Sequence, residues 1–175
     1  MKIRTTTIQR LRDALLKSGR RQSIVSSSAY RTLAREGLLS ETEKNAITKV
    51  ASIAEVMFLM MAADEMIVIE EMDAFRGAIR GLSGDVISDD LMQVLIEDFA
   101  LRLKEEGRTA RLRAVAEAIQ DEHEVESAFT LAAAVALADD QVEASEQTLL
   151  EELAQWFGLS PEQSQGLLSQ LSSEQ

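Results

Sequence analysis

The stretch SETEKNAITKVASIAEVMFLMMAADEMIVIEEM, residues 40–72, decides how this chain folds. It opens on Ser40 with Glu43 three residues later, the Ser-x-x-Glu pattern in which each side chain takes up a backbone N–H of the other at a helix start. Beyond it Ile47, Val50, Ala51, Ala54, Met57, Phe58 and Met61 recur at helical spacing. That spacing predicts a long core helix reaching about Ala63. The helix then runs into Ala63-Asp64-Glu65, four apolar residues and Glu70-Glu71, and so many carboxylates in one turn need a partner or a purpose.

The layout returns 75 positions later in ALADDQVEASEQ, residues 136–147. Ala63-Asp64-Glu65 aligns with Ala138-Asp139-Asp140, Ile67 with Val142 and Glu71 with Glu146. RGLSGD (80–85) and FGLSPE (157–162) follow the two acidic turns and read as links to the next helix. Residues 45–96 and 120–171 therefore read as two copies of helix, acidic turn, helix, Gly-Leu-Ser, helix, and an internal pseudo-twofold is their natural packing.

Composition agrees with helices throughout. Hydrophobic residues make up 46 % but aromatics only 4 %, with one Pro and eight Gly, which leaves little turn chemistry for strands. The expectation is an all-α single domain of about seven to nine helices over residues 38–175, with a basic helical extension over 1–37. In the extension, residues 7–17 form an amphipathic helix with Ile8, Leu11 and Leu15 on one stripe and Arg10 and Lys17 opposite. RRQSIVSSS (20–28) is a linker, and a short helix ends at Gly37. In the body, a helix over 69–80 closes at Gly81, Ser88 caps one over 89–105, RTARLRAVAEAIQD supplies another, and the second central helix covers 123–138. The helix SEQTLLEELAQWF ends at Gly158, with Trp156 a core anchor beside Phe157. Ser160-Pro161 starts the last, with Pro at its first position and Leu167, Leu168 and Leu171 as its apolar face.

The absence of Cys excludes disulfides, thiolate catalysis and zinc–thiolate sites, and suits a reducing compartment. The single His, His123, leaves no pair for a His-based metal site and reads as a solvated helix-start residue. The N-terminus lacks the unbroken apolar run of a secretory signal. No apolar run exceeds eight residues, the length of VMFLMMAA, against the roughly 20 a membrane-spanning helix needs, so a soluble chain is expected. Five methionines, Met57, Met60, Met61, Met66 and Met72, surround the first turn at spacing that suits core packing.

Charge is unevenly placed. Residues 1–35 hold nine Lys/Arg and one acid, for +8, whereas residues 36–175 hold nine Lys/Arg and 29 acids, for −20. A basic arm thus precedes an acidic body. The body repels phosphate backbones, so an anionic membrane surface can be met only through residues 1–35, where each Lys/Arg contributes about 1 kcal/mol. Nucleic acid is disfavoured because Tyr30 is the only aromatic among those charges. Docking of the arm's own apolar stripe onto the acidic body is the third use for it.

AADEMIVIEE and ALADDQVEASE, the latter followed by LAQWFGLSPEQ, resemble the tellurite-resistance TerB-like family and its signature Ala-Asp-Gly-x-(Ile/Val)-(Ser/Thr)-x-x-Glu. The resemblance covers about residues 40–172 and leaves the arm outside. Glu65 and Asp140 stand where the signature has Gly, and Val68 and Glu143 where it has Ser/Thr. What the resemblance implies is an all-helical, non-catalytic interaction or stress-response module of a bacterial cytoplasm, linked to tellurite or related chemical stress and working near the inner face of the membrane. A probable protein partner comes with it.

Three uses of the acids remain open on their own chemistry. Asp64 and Asp139 sit at helix C-termini, where the dipole disfavours them by about 0.3–1 kcal/mol. They could cap the following helix, which Val68 cannot do. Together with Glu65, Glu70 and Glu71, and with Asp140, Glu143 and Glu146, they could instead bind a divalent cation, and an oxygen-only donor set suits Ca2+ or Mg2+. The third use is an acidic docking patch. Neither turn is an EF-hand loop, since residues 64–75 and 139–150 lack the glycine at position six. The rival class is a carboxylate-based metal-dependent hydrolase, and a further alternative is a structural scaffold whose arm docks on anionic membrane.

Overall fold

A computed structural model describes residue 33 and residues 35–63, 66–138 and 144–173. Among these the chain forms seven helices and no strand: α1 (Glu41–Met61), α2 (Ile69–Ser83), α3 (Asp89–Glu106), α4 (Arg108–Ala118), α5 (Glu122–Ala136), α6 (Ala144–Trp156) and α7 (Pro161–Ser173). The all-α class follows, and none of these helices is long and apolar enough to cross a membrane. The expected arm helix over 7–17 and the linker over 20–28 lie outside the described residues. Where the chain enters the description, Gly37 has a left-handed φ of 70° and Leu38 N–H donates to Leu33 C=O at 2.9 Å, closing the short helix where the sequence predicts.

The Ser40 box forms as expected. Ser40 N–H donates to Glu43 Oε2 at 2.8 Å and Glu43 N–H donates to Ser40 Oγ at 3.2 Å. The hydrogen bonds from the Ser40 side chain and then its backbone hold the Glu43 carboxyl below its ordinary value. Past the first turns, residues 53–61 of α1 are all buried, so the helix has no wet face there. A helix apolar all round belongs in the middle of a fold. α1 packs on α5, α2, α4, α3 and α6, and α5 in turn packs on α2, α6 and α7. Ala128, Ala132, Ala133, Ala134 and Ala136 of α5 are each at most 1 % exposed. Such short side chains let helix backbones approach closely, which is how two central helices fit in one small core.

Polar side chains start three of the later helices. Ser88 Oγ accepts Leu91 N–H at 3.3 Å, and Asp121 Oδ1 accepts His123 N–H and Glu124 N–H at 3.1 and 3.2 Å. Ser160 and Gln163 make a reciprocal pair over Pro161, with Ser160 N–H donating to Gln163 Oε1 at 2.9 Å and Gln163 N–H to Ser160 Oγ at 3.2 Å.

Two expectations fail for identifiable reasons. α2 passes through Gly81 and ends at Ser83, because Gly84 supplies the left-handed φ of 63° and Asp85 N–H reaches Arg80 C=O at 2.9 Å. Gly81-Leu82-Ser83 is therefore a last helical turn with Leu82 buried, whereas Gly158, at φ 68°, terminates α6. The two Gly-Leu-Ser segments do different jobs despite their likeness. Trp156 is 42 % exposed and is no core anchor. The buried stripe of α6 runs Glu146, Leu149, Leu150, Leu153 and Ala154 and continues to half-buried Phe157, which leaves Trp156 off it.

A charged group lies inside the fold. Glu55, 1 % exposed in the middle of α1, accepts from Arg111 of α4 twice, Nε to Oε1 at 2.7 Å and Nη2 to Oε2 at 2.9 Å. Arg111 Nη1 also donates to Glu106 Oε2 at 2.9 Å, and Arg102 of α3 donates to Glu55 at 3.5 Å and to Asp98 one turn before it. The Arg102 guanidinium lies 5.8 Å from the Phe99 ring centre, and Phe99 meets Phe58 at 5.8 Å. Burial lowers the affinity of Arg111 for its proton, but the hydrogen bonds and charge of Glu55, then of Glu106, outweigh it, so the pKa is raised. Three helices are tied by one network.

Candidate functional site

The two acidic corners occupy residues 62–68 and 137–143. α1 ends at Met61 and α5 at Ala136, while α2 starts at Ile69 and α6 at Ala144, so both junctions keep the 75-residue offset. The last turns close alike. Ala62 N–H donates to Phe58 C=O at 3.0 Å and Ala63 N–H to Met60 C=O at 3.1 Å; Leu137 N–H donates to Ala133 C=O and Ala138 N–H to Val135 C=O, both at 3.0 Å. Ala63 and Ala138 are buried at the same point.

Glu71 and Glu146 stand at the third position of α2 and α6, and both are buried, 5 % and 3 % exposed. Glu71 Oε2 accepts Val68 N–H at 3.2 Å. Val68 has no side-chain oxygen, so only this half of a reciprocal cap forms. α5 also has a buried third-position glutamate, Glu124, but there Asp121 supplies a side-chain cap. Replacing Glu71 with Ala removes the side chain that holds the α2 start, and we expect a loss of about 1–2 kcal/mol. Urea unfolding of the two proteins measures it, with Glu71→Gln retaining most of the difference.

On the other shoulder of the first corner, Arg108 at the start of α4 donates from Nη2 to Ala63 C=O at 2.8 Å. A guanidinium at a helix C-terminus opposes the negative end of the dipole, one residue before Asp64 in the chain. Sequence reasoning missed Arg108, as it missed Glu55, Asp98, Arg102 and Arg111.

The remaining predicted residues divide in two. Glu70 is exposed at the second position of α2. Asp64, Glu65, Asp139, Asp140 and Glu143 lie outside the described residues. Among the described residues no three His, Asp or Glu side chains converge closely enough to hold a metal ion. A cation at the first corner would therefore draw on Asp64 and Glu65 with Glu70 or Glu71, and one at the second on Asp139, Asp140 and Glu143 with Glu146. Every such donor is a carboxylate oxygen, a set that fits hard cations of the calcium and magnesium kind. Of the methionines, Met57, Met60 and Met61 are core, Met72 is half-buried and Met66 is 70 % exposed. Ile67 and Ile69 beside it are 42 % and 76 % exposed. His123 is exposed at the start of α5.

The family model of the tellurite resistance protein TerB matches residues 49–168. The chain belongs to the TerB family. No curated protein and no solved structure matches it. In this TerB-family chain the match begins within α1 and ends within α7, so it takes in both corners and excludes the basic arm.

Proposed function

We propose that this TerB-family chain is a non-catalytic interaction and stress-response module whose two acidic corners take up a divalent cation, calcium or magnesium, and present themselves to a protein partner. The observation that carries the reading is the matched pair of buried third-position glutamates, Glu71 and Glu146, each seven residues after the first acid of an acidic pair, Asp64-Glu65 and Asp139-Asp140. With Arg108 on Ala63 and Glu71 on Val68, both shoulders of the first corner are held, and acids on a held corner lose little freedom on binding. A protein partner is supported by a different observation, the exposed Ile67 and Ile69 beside exposed Glu70. TerB-family proteins are generally non-enzymatic, which supports the non-catalytic reading. The link to tellurite or related chemical stress, and a cytoplasmic location near anionic membrane reached through residues 1–35, rest on the family and on the basic arm.

Melting curves test the cation. At a cation concentration tenfold above its Kd, binding stabilises by about 1.4 kcal/mol, which in a chain of this size raises Tm by roughly 3–6 °C. Asp64→Asn should reduce the rise. An unchanged Tm in millimolar calcium and in millimolar magnesium removes the cation from the proposal.

A further inference from the structure

The first corner carries an apolar ledge that its fold does not require. Ile67 and Ile69 are 42 % and 76 % exposed within three residues of each other. At the second corner, which closes with the same backbone hydrogen bonds, Ala144 stands in place of Ile69 and Gln141 in place of Met66. Clustered exposed apolar residues mark contact surfaces. The setting restricts what can sit there. Between residues 64 and 73 the chain has five acids and no base, so an occupant must bring apolar side chains and positive charge together.

We propose that the occupant is this chain's own N-terminal arm, seated on Ile67 and Ile69 through Ile8, Leu11 and Leu15, with its Lys and Arg residues facing the corner's acids. Residues 1–35 hold nine Lys/Arg against one acid, and those three apolar residues have the spacing of one helical stripe. Leu15 lies eighteen positions before Leu33, where the described chain begins. Extended, those eighteen steps span about 60 Å, against a radius of gyration of about 14 Å for a domain of this size, so the arm reaches any face of the body. A tethered segment also meets its site at an effective concentration in the millimolar range, enough to populate a weak contact. The proposal rests on reading the first corner as an interaction surface and needs no cation, although the arm's Lys and Arg would share the corner's acids with one.

The chain has no Cys, so Ser18→Cys gives a single point for a nitroxide spin label on the full-length protein. Several-fold loss of amide and methyl signal intensity at Ile67, Ile69 and Glu70 is expected, with the exposed face of α3 unaffected. High salt should weaken the loss, since exposed charges are then screened. Ile67→Ser with Ile69→Ser should abolish it while leaving Tm nearly unchanged, because both residues are exposed. No loss at the corner, or the same loss in the double variant, overturns the proposal. Loss that appears when spin-labelled protein is mixed with isotope-labelled, spin-free protein gives the site to a second copy's arm and overturns it also. Calcium titration of the unlabelled chain reads the cation separately, so either idea can fail without the other.

Discussion

Glu55→Gln is expected to cost about 3–5 kcal/mol, because it leaves the buried Arg111 guanidinium with one carboxylate in place of two. Water cannot take over, since Glu55 is 1 % exposed and Arg111 5 %. Against the 5–15 kcal/mol total typical of a domain this is a large fraction, and it corresponds to a fall in Tm of roughly 6–20 °C. The network also predicts an asymmetry. Glu55→Met combined with Arg111→Met removes a charge of each sign and leaves Arg102 with Asp98 and Glu106 open to water. The double variant should therefore be less destabilised than the sum of the singles by well over 1 kcal/mol, a coupling that urea unfolding of the four proteins measures. Additive losses would mean that Glu55 and Arg111 do not act as a pair.

Phe129→Ala is the other large loss expected, about 3–5 kcal/mol by thermal or urea unfolding. Phe129 is 1 % exposed in a helix whose other central residues are mainly alanine. The cost of a cavity depends on how far its walls can collapse, and Ala132 and Ala133, one turn along the same helix, have only a methyl group to move into it. The loss should fall in the upper half of that range and exceed that of Ala133→Leu, an overpacking change of about 1–3 kcal/mol.

How much of this was legible in the sequence depended on contrast between faces. Ser40 with Glu43 located the start of α1, and the 75-residue offset paired Glu71 with Glu146, which share the third position of their helices. The inner end of α1 is buried all round, so periodicity has no wet face to measure against and Glu55 has no readable direction. Arg111 and Arg113 look alike in RTARLRAVAEA, yet one is buried and the other exposed. Only the packing of α4 on α1 separates them. Arg108 was hidden for the same reason, since its partner is a backbone carbonyl 45 residues away. The sequence points to Gly81 as the stop of α2, but the helix ends where Gly84 takes the positive φ. Trp156 has the size of a core anchor but sits beside the buried stripe of α6, and its place on the helix decides its exposure. The acids before Glu71 and Glu146 are legible as a pattern, whereas their use is a matter for titration.

The most direct test of the corners is an amide-shift map of the full-length chain as calcium is added. Movement confined to residues 62–71 and 137–146, saturating with added calcium and diminished at the first corner by Asp64→Asn, is the predicted result. Shifts scattered over the acidic surface without saturation, or none at either corner, would contradict it and leave Glu71 and Glu146 as helix-start residues alone.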